Sequence, residues 1–166
     1  MYETNSGMVA WDKITYELVG RRRPPRILVA DDDEEMRTFL VWVLSKQGYD
    51  VIECSTGLRL LEKLGSFVLS DETDPIDLII SDNLMPGVTG IEVLEGLHEF
   101  EGFPPIIMIT AFGDKVIHER ARELGAFDLL DKPFQLGELL GRVQEIVGPP
   151  PIPPRPISEV DEELSS

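Results

Sequence analysis

Three short apolar runs, Ile27-Leu28-Val29-Ala30, Leu78-Ile79-Ile80-Ser81 and Ile106-Ile107-Met108-Ile109, each stop on a polar side chain: Asp31, Asp82 and Thr110. Runs this short and this apolar fit parallel strands covered on both faces, not half-exposed antiparallel ones. Between them, apolar residues recur at three- and four-residue steps. Met36, Phe39, Leu40, Val43 and Leu44 mark a first helix stopping at Gly48, and Leu60, Leu61, Leu64, Phe67 and Val68 a second. Ile91, Leu94 and Leu97 mark a third, ending near Gly102 and Pro104. Ile117, Ala121 and Leu124 mark a fourth stopping at Gly125, and Leu136, Leu139, Leu140, Val143 and Val147 a fifth weakened by Gly137 and Gly141. Val51-Ile52 and residues 127–130 supply two further strands, and 70–75 reads as a polar loop. Five strands alternating with five helices predict an α/β fold, a doubly wound parallel sheet built from right-handed crossovers, spanning 26–148.

Both flanks differ in character. Residues 1–25 read as an extension: Met8-Val9-Ala10-Trp11 and the alternating Ile14, Tyr16 and Leu18 suggest an extra strand or hairpin, and Arg21-Arg22-Arg23-Pro24-Pro25 a stiff solvated linker. Residues 149–166 carry a Pro-rich segment suited to polyproline II and then an acidic end, both expected to be disordered. The tail serves either as a spacer or as a ligand for SH3-like or WW-like domains. No second folded domain is expected after it.

Composition narrows the partners. The formal net charge is −16, from 15 basic and 31 acidic residues, which argues against direct nucleic-acid or anionic-membrane binding. Cys54 is the single cysteine, so no intrachain disulfide forms, and a small buried residue near a strand end is expected there. No apolar stretch approaches the roughly 20 residues needed to span a bilayer. The N-terminus lacks a secretory pattern, and a cytoplasmic location is the expectation. His98 and His118 fall on predicted helices without a local metal-ligand partner, and Phe39 and Trp42 read as helix-packing residues.

Ligand sites in open parallel sheets lie beyond the carboxyl ends of the strands. There the sequence places Asp31 and Asp32, Asp82, Thr110 and Lys132. Three converging carboxylates repel one another and call for a cation. Mg²⁺, or Mn²⁺ in its place, takes oxygen ligands and keeps positions for phosphate oxygens. A carboxylate can carry a phosphoryl group as an acyl phosphate, with catalysis mainly by positioning and charge neutralisation. Asp82 is then the acceptor, Asp31 and Asp32 hold the metal, Lys132 neutralises, and the Thr110 hydroxyl donates to a phosphoryl oxygen. Each member has a plainer explanation: Asp31-Asp32-Asp33 can cap the first helix, Thr110 can be an ordinary strand residue, and Asp82 can simply precede a turn.

The ordered set Ile-Leu-Val-Ala-Asp31-Asp32-Asp33-Glu-Glu-Met-Arg37, Ile-Ile-Ser-Asp82-Asn-Leu-Met85-Pro86-Gly87, Met-Ile-Thr110-Ala111 and Asp131-Lys132-Pro133-Phe134 resembles the receiver domain of bacterial response regulators. The resemblance implies a flavodoxin-like strand order 2-1-3-4-5 and Mg²⁺-dependent transfer to Asp82 from a sensor histidine kinase or phosphotransfer protein. It implies Asp32 as a direct metal ligand, Asp31 acting mostly through water, the Leu84 backbone carbonyl as a further ligand, and a cis bond before Pro133. It also implies a surface of helix four, strand five and helix five that selects a downstream effector or a second copy. Two departures stand out. Leu129 replaces the aromatic switch residue three before the lysine. Leu84 and Phe112 occupy the positions that tune phosphoryl lifetime, and being apolar they predict slow self-dephosphorylation. On this reading the chain is not an enzyme toward outside substrates, and is either a stand-alone regulator or a receiver separated from its effector. Two alternatives remain: a receiver-like interaction module without the chemistry, and a Mg²⁺-dependent phosphohydrolase working through an aspartyl phosphate. The second lacks an evident general acid, and Asp82-Asn83-Leu84 lacks the second aspartate of haloacid-dehalogenase phosphatases.

Overall fold

The computed structural model describes residues 23–69, 75–111 and 113–149. The hairpin expected at 8–18, most of the 70–75 loop, the side chains of Phe67 and Val68, Phe112, and the tail from 150 onward lie outside the described residues.

The strands are β1 (Arg26–Ala30), β2 (Asp50–Cys54), β3 (Leu78–Asp82), β4 (Ile106–Thr110) and β5 (Asp128–Asp131). The helices are α1 (Glu34–Lys46), α2 (Gly57–Leu69), α3 (Gly90–His98), α4 (Lys115–Glu123) and α5 (Leu136–Val147). All strand pairs are parallel, in the order β2-β1-β3-β4-β5. Every residue of β3 and β4 is buried, as central parallel strands require. Side-chain alternation sends Ile27, Val29, Ile80 and Ile107 to a core roofed by Leu40 and Leu44 of α1 and by Leu139 and Val143 of α5. Leu28, Ile79 and Met108 point the other way, into a core closed by Leu60 and Leu64 of α2, Val93 and Leu97 of α3 and Ala121 of α4. The sheet is thus covered by two helices on one face and three on the other. No helix among the described residues is long and apolar enough to cross a membrane.

Local signals set the helix ends. Asp33 caps α1 by accepting from the Glu35 and Met36 amides at 2.9 and 3.1 Å. Thr89 and Glu92 form a capping box at α3. That helix stops at His98, short of Gly102 and Pro104. Cys54 is buried at the end of β2, and burial pushes its thiol up to about 11, so it stays protonated.

Three expectations need correction. Phe39 and Trp42 are not packing residues: they are 44% and 59% exposed. The apolar arc of α1 centres on Leu40, Val43 and Leu44, which leaves Phe39 at its edge and Trp42 outside it. Arg23 is not a solvated linker residue. Its guanidinium bonds Asp77 Oδ2 at 2.7 Å and the Pro75 carbonyl at 2.9 Å. Strand β5 is displaced one residue from the expected 127–130: its ladder starts with Asp128 opposite Ile107 and ends on the charged Asp131 opposite Thr110.

Candidate functional site

The register brings the polar strand ends together. Ala30 lies opposite Ser81, Asp82 opposite Ile109, and Thr110 opposite Asp131. Asp31 leaves β1 with its amide on the Cys54 carbonyl at 3.2 Å, and the Lys132 amide donates to the Thr110 carbonyl at 2.7 Å. Ladder bonds continuing past the strand ends fix the direction of the first loop residues, the ones carrying the chemistry.

The three carboxylates Asp31, Asp32 and Asp82 each offer an oxygen within 4.8 Å of the others. Asp31 and Asp82 are only 2% and 5% exposed, whereas Asp32 stands at the rim. Asp33, next in sequence, is occupied as the α1 cap and donates its own amide to Asp31 Oδ1 at 2.9 Å. The capping explanation therefore holds for Asp33 and leaves Asp31 and Asp32 to the cluster. Lys132 Nζ reaches Asp31 Oδ2 at 3.2 Å and Asp82 Oδ2 at 3.6 Å. Thr110 is fully buried at the end of β4.

Electrostatically the cluster is incomplete. Asp82 Oδ1 is buried and accepts no hydrogen bond. Desolvation, then the charge of Asp31, push the Asp82 carboxyl up to about 6, with Asp32 adding to the rise and Lys132 and the Leu84 amide offsetting part of it. One ammonium facing three carboxylates leaves negative charge over. Oxygen donors with a spare buried lone pair suit a hard divalent cation, so the donor set fits Mg²⁺.

Further residues complete the frame: Asn83 and Gly90, given no role from sequence, and Arg37, present in the quoted motif but without an assigned role. Asn83 folds the β3–α3 loop back: its Oδ1 accepts from the Ile91 amide at 3.0 Å and its carbonyl from the Gly90 amide at 2.9 Å. At Gly90 a Cβ would sit 2.7 Å from the Asp82 carbonyl, so only glycine lets α3 approach the acceptor loop this closely. Arg37 donates to the Asp31 carbonyl at 2.9 Å and pairs with Glu53, bracing the first loop. The Arg37 side chain targets a backbone carbonyl that no sequence pattern marks.

Elsewhere, Leu84 is 44% exposed in the loop two residues beyond Asp82. Leu129 is half-buried against the core beneath α4. The Lys132–Pro133 bond is cis. Of the histidines, His98 bonds the Leu124 carbonyl through Nδ1 at 3.1 Å, and His118 faces Asp131.

A family model described as the response regulator receiver domain matches residues 27–144. The alkaline phosphatase synthesis transcriptional regulatory protein PhoP of Bacillus subtilis is 38% identical over 74% of this chain and 48% of its own length. The transcriptional regulatory protein CpxR of Escherichia coli K12 is 36% identical over 74% and 49%. The chain thus spans about half the length of these curated relatives. The response regulator receiver protein CpdR of Brucella abortus, 31% identical, is matched over 96% of its length. Among solved structures, the chemotaxis response regulator CheY4 of Vibrio cholerae is 28% identical with a TM-score of 0.63, covering 74% of this chain and 98% of that one. A putative response regulator of Chloroflexus aurantiacus is 31% identical with a TM-score of 0.65, covering 75% and 98%.

Proposed function

Because this chain belongs to the response regulator receiver-domain family of two-component signalling, we propose that it is a phosphorylation switch whose acceptor is Asp82, loaded from a phosphohistidine on a sensor kinase or phosphotransfer protein. One observation carries the proposal: a carboxylate buried beside two others, facing a single lysine, with one oxygen left without a partner.

The residues divide the work. Asp82 attacks phosphorus through a carboxylate oxygen, an acyl phosphate O–P bond forms, and the P–N bond to the donor imidazole breaks, its electron pair staying on that nitrogen. Asp31, Asp32, Asp82 and the Leu84 carbonyl would hold Mg²⁺, which when bound neutralises charge on the phosphoryl oxygens. Lys132 holds a second positive charge against the incoming oxygens, and Thr110 donates its hydroxyl to one of them. Burial excludes bulk water from Asp82, and Leu84 has no polar group to orient a hydrolytic water, so the phosphoryl form is long-lived; a half-life of seconds would overturn that. Movement at Thr110 then reshapes the surface of α4, β5 and α5, where Val116 and Phe127 stand exposed to meet an effector or a second copy.

Incubation with acetyl phosphate and Mg²⁺ tests the proposal. The expected result is one acid-resistant, base-labile phosphoryl adduct, lost in Asp82→Asn and on chelation. Labelling that persists in Asp82→Asn, or turnover of an outside phosphate ester without an adduct, overturns it.

A further inference from the structure

A second arrangement of titratable groups lies on the α4 side of Thr110. His118, in the second turn of α4, places Nε2 3.0 Å from both carboxylate oxygens of Asp131. Asp131 precedes Lys132 in the chain and lies opposite Thr110 in the sheet. Gly113 sits against all three. A Cβ built there would overlap Asp131 Oδ1 and fall 2.8 Å from both His118 Nε2 and Thr110 Cγ2. Gly113 thus packs directly against the pair and the threonine, and a side chain there would displace the Asp131 carboxylate and the His118 ring.

The connection is short. Thr110 ends β4, and Asp114 already caps α4 by accepting from the Ile117 amide at 2.9 Å. Three residues, 111–113, separate the strand end from the cap. Three residues of chain span at most about 11 Å, so displacement of Thr110 toward Asp82 would draw on the amino-terminal end of α4. His118 rides on α4 and Asp131 on β5, so that displacement changes the distance between them.

We propose that His118 and Asp131 form a clasp holding Thr110 and Gly113 in their unphosphorylated position, with His118 a positioning residue for the switch. The inference rests on phosphoryl transfer to Asp82 and adds which contact resists it. The aliphatic Leu129 offers β5 no polar group for this linkage. A clasp between partly exposed groups is weak enough to open: pairs of this kind are worth well under the energy of a phosphoryl contact.

The test is a double-mutant cycle read by affinity for beryllofluoride, a phosphoryl mimic, in Mg²⁺. His118→Ala and Asp131→Ala are each expected to bind it about threefold more tightly, the scale of one hydrogen bond between partly exposed side chains. The double variant should gain no more than either single, because both remove the same contact. Unchanged affinity in the singles, or additive gains, overturns the clasp. Should a variant fail to fold, the unaltered chain decides: the His118 imidazole nitrogen resonances must shift when beryllofluoride binds, and a ring that does not respond overturns it. Failure of the underlying reading looks different, since the unaltered protein would then neither bind beryllofluoride nor accept label at Asp82.

Discussion

At the amino-terminal edge of the sheet, Asp77 takes Arg23 Nη1 and the Arg26 amide, both at 2.7 Å, and Asp50 takes Arg26 Nε at 2.7 Å. At the carboxyl-terminal edge, Asp31, Asp32 and Asp82 face Lys132 at 3.2 and 3.6 Å from two of them, with Asp82 Oδ1 left without a partner. The same side-chain types are thus closed into short ion pairs at one end and left in surplus at the other. The closed end serves the fold; the open end keeps a surplus of negative charge that suits a bound cation.

The largest test of that contrast removes the single ammonium. Lys132→Ala should slow labelling by acetyl phosphate about a hundredfold or more, the usual scale for deleting one preorganised charge at a transition state. Supplying cation is the converse test. Mg²⁺ at a hundred times its Kd should raise unfolding stability by about 2.7 kcal/mol through mass action, measured by denaturant titration, and the gain should largely vanish in Asp32→Asn. Ordinary salt at the same ionic strength should not reproduce it, because buried charges are screened little.

A third test uses pH. The Asp82 carboxyl is raised to about 6 in the fold, against an ordinary value of about 4 when unfolded. At pH 3 both states are protonated, and the group costs nothing. As pH rises from about 4 to 6 the unfolded chain ionises first, so stability falls, by on the order of 2 kcal/mol, and then levels. Asp82→Asn should abolish that decline, making the variant more stable than the parent at pH 7 and equal to it at pH 3. A parent whose stability is flat across this window in metal-free buffer would show that the open end is not strained.

What the sequence discloses follows the same division. The strands were legible because Ile, Leu and Val runs buried on both faces leave few alternatives, and the candidate site because each of its members ends a strand or lies within two residues of its end. The roles within Asp31-Asp32-Asp33 were not: three identical residues differ only in where the chain turns, and the cap went to the third. Phe39 sits at the margin of the α1 arc, where a shift of one side chain's width decides burial. The ties that close the fold were hidden for a different reason. Arg23 and Asp77 are 54 residues apart, and His118 reaches Asp131 across 13. No local pattern announces a partner at such a distance, whereas strand ends announce themselves.

The smallest expected effect lies at the closed end, and it tests whether the ends are independent. The carboxylate of Asp77 accepts from two positions on Arg23 and from the Arg26 amide. The Arg23 and Asp77 side chains are 25% and 34% accessible, so the ion pair itself is worth under about 1 kcal/mol. Arg23→Ala should therefore cost about 0.5 kcal/mol. Asp77→Ala should cost more, about 1–2 kcal/mol, because it also leaves the Arg26 amide without its acceptor. Neither should alter labelling of Asp82. Strand β3 separates the two ends by five residues, about 17 Å at the rise of a parallel strand, beyond the range at which independent sites couple. A tenfold change in labelling rate in either variant, with the fold intact, would mean that β3 transmits strain along its length and that the closed end is part of the switch.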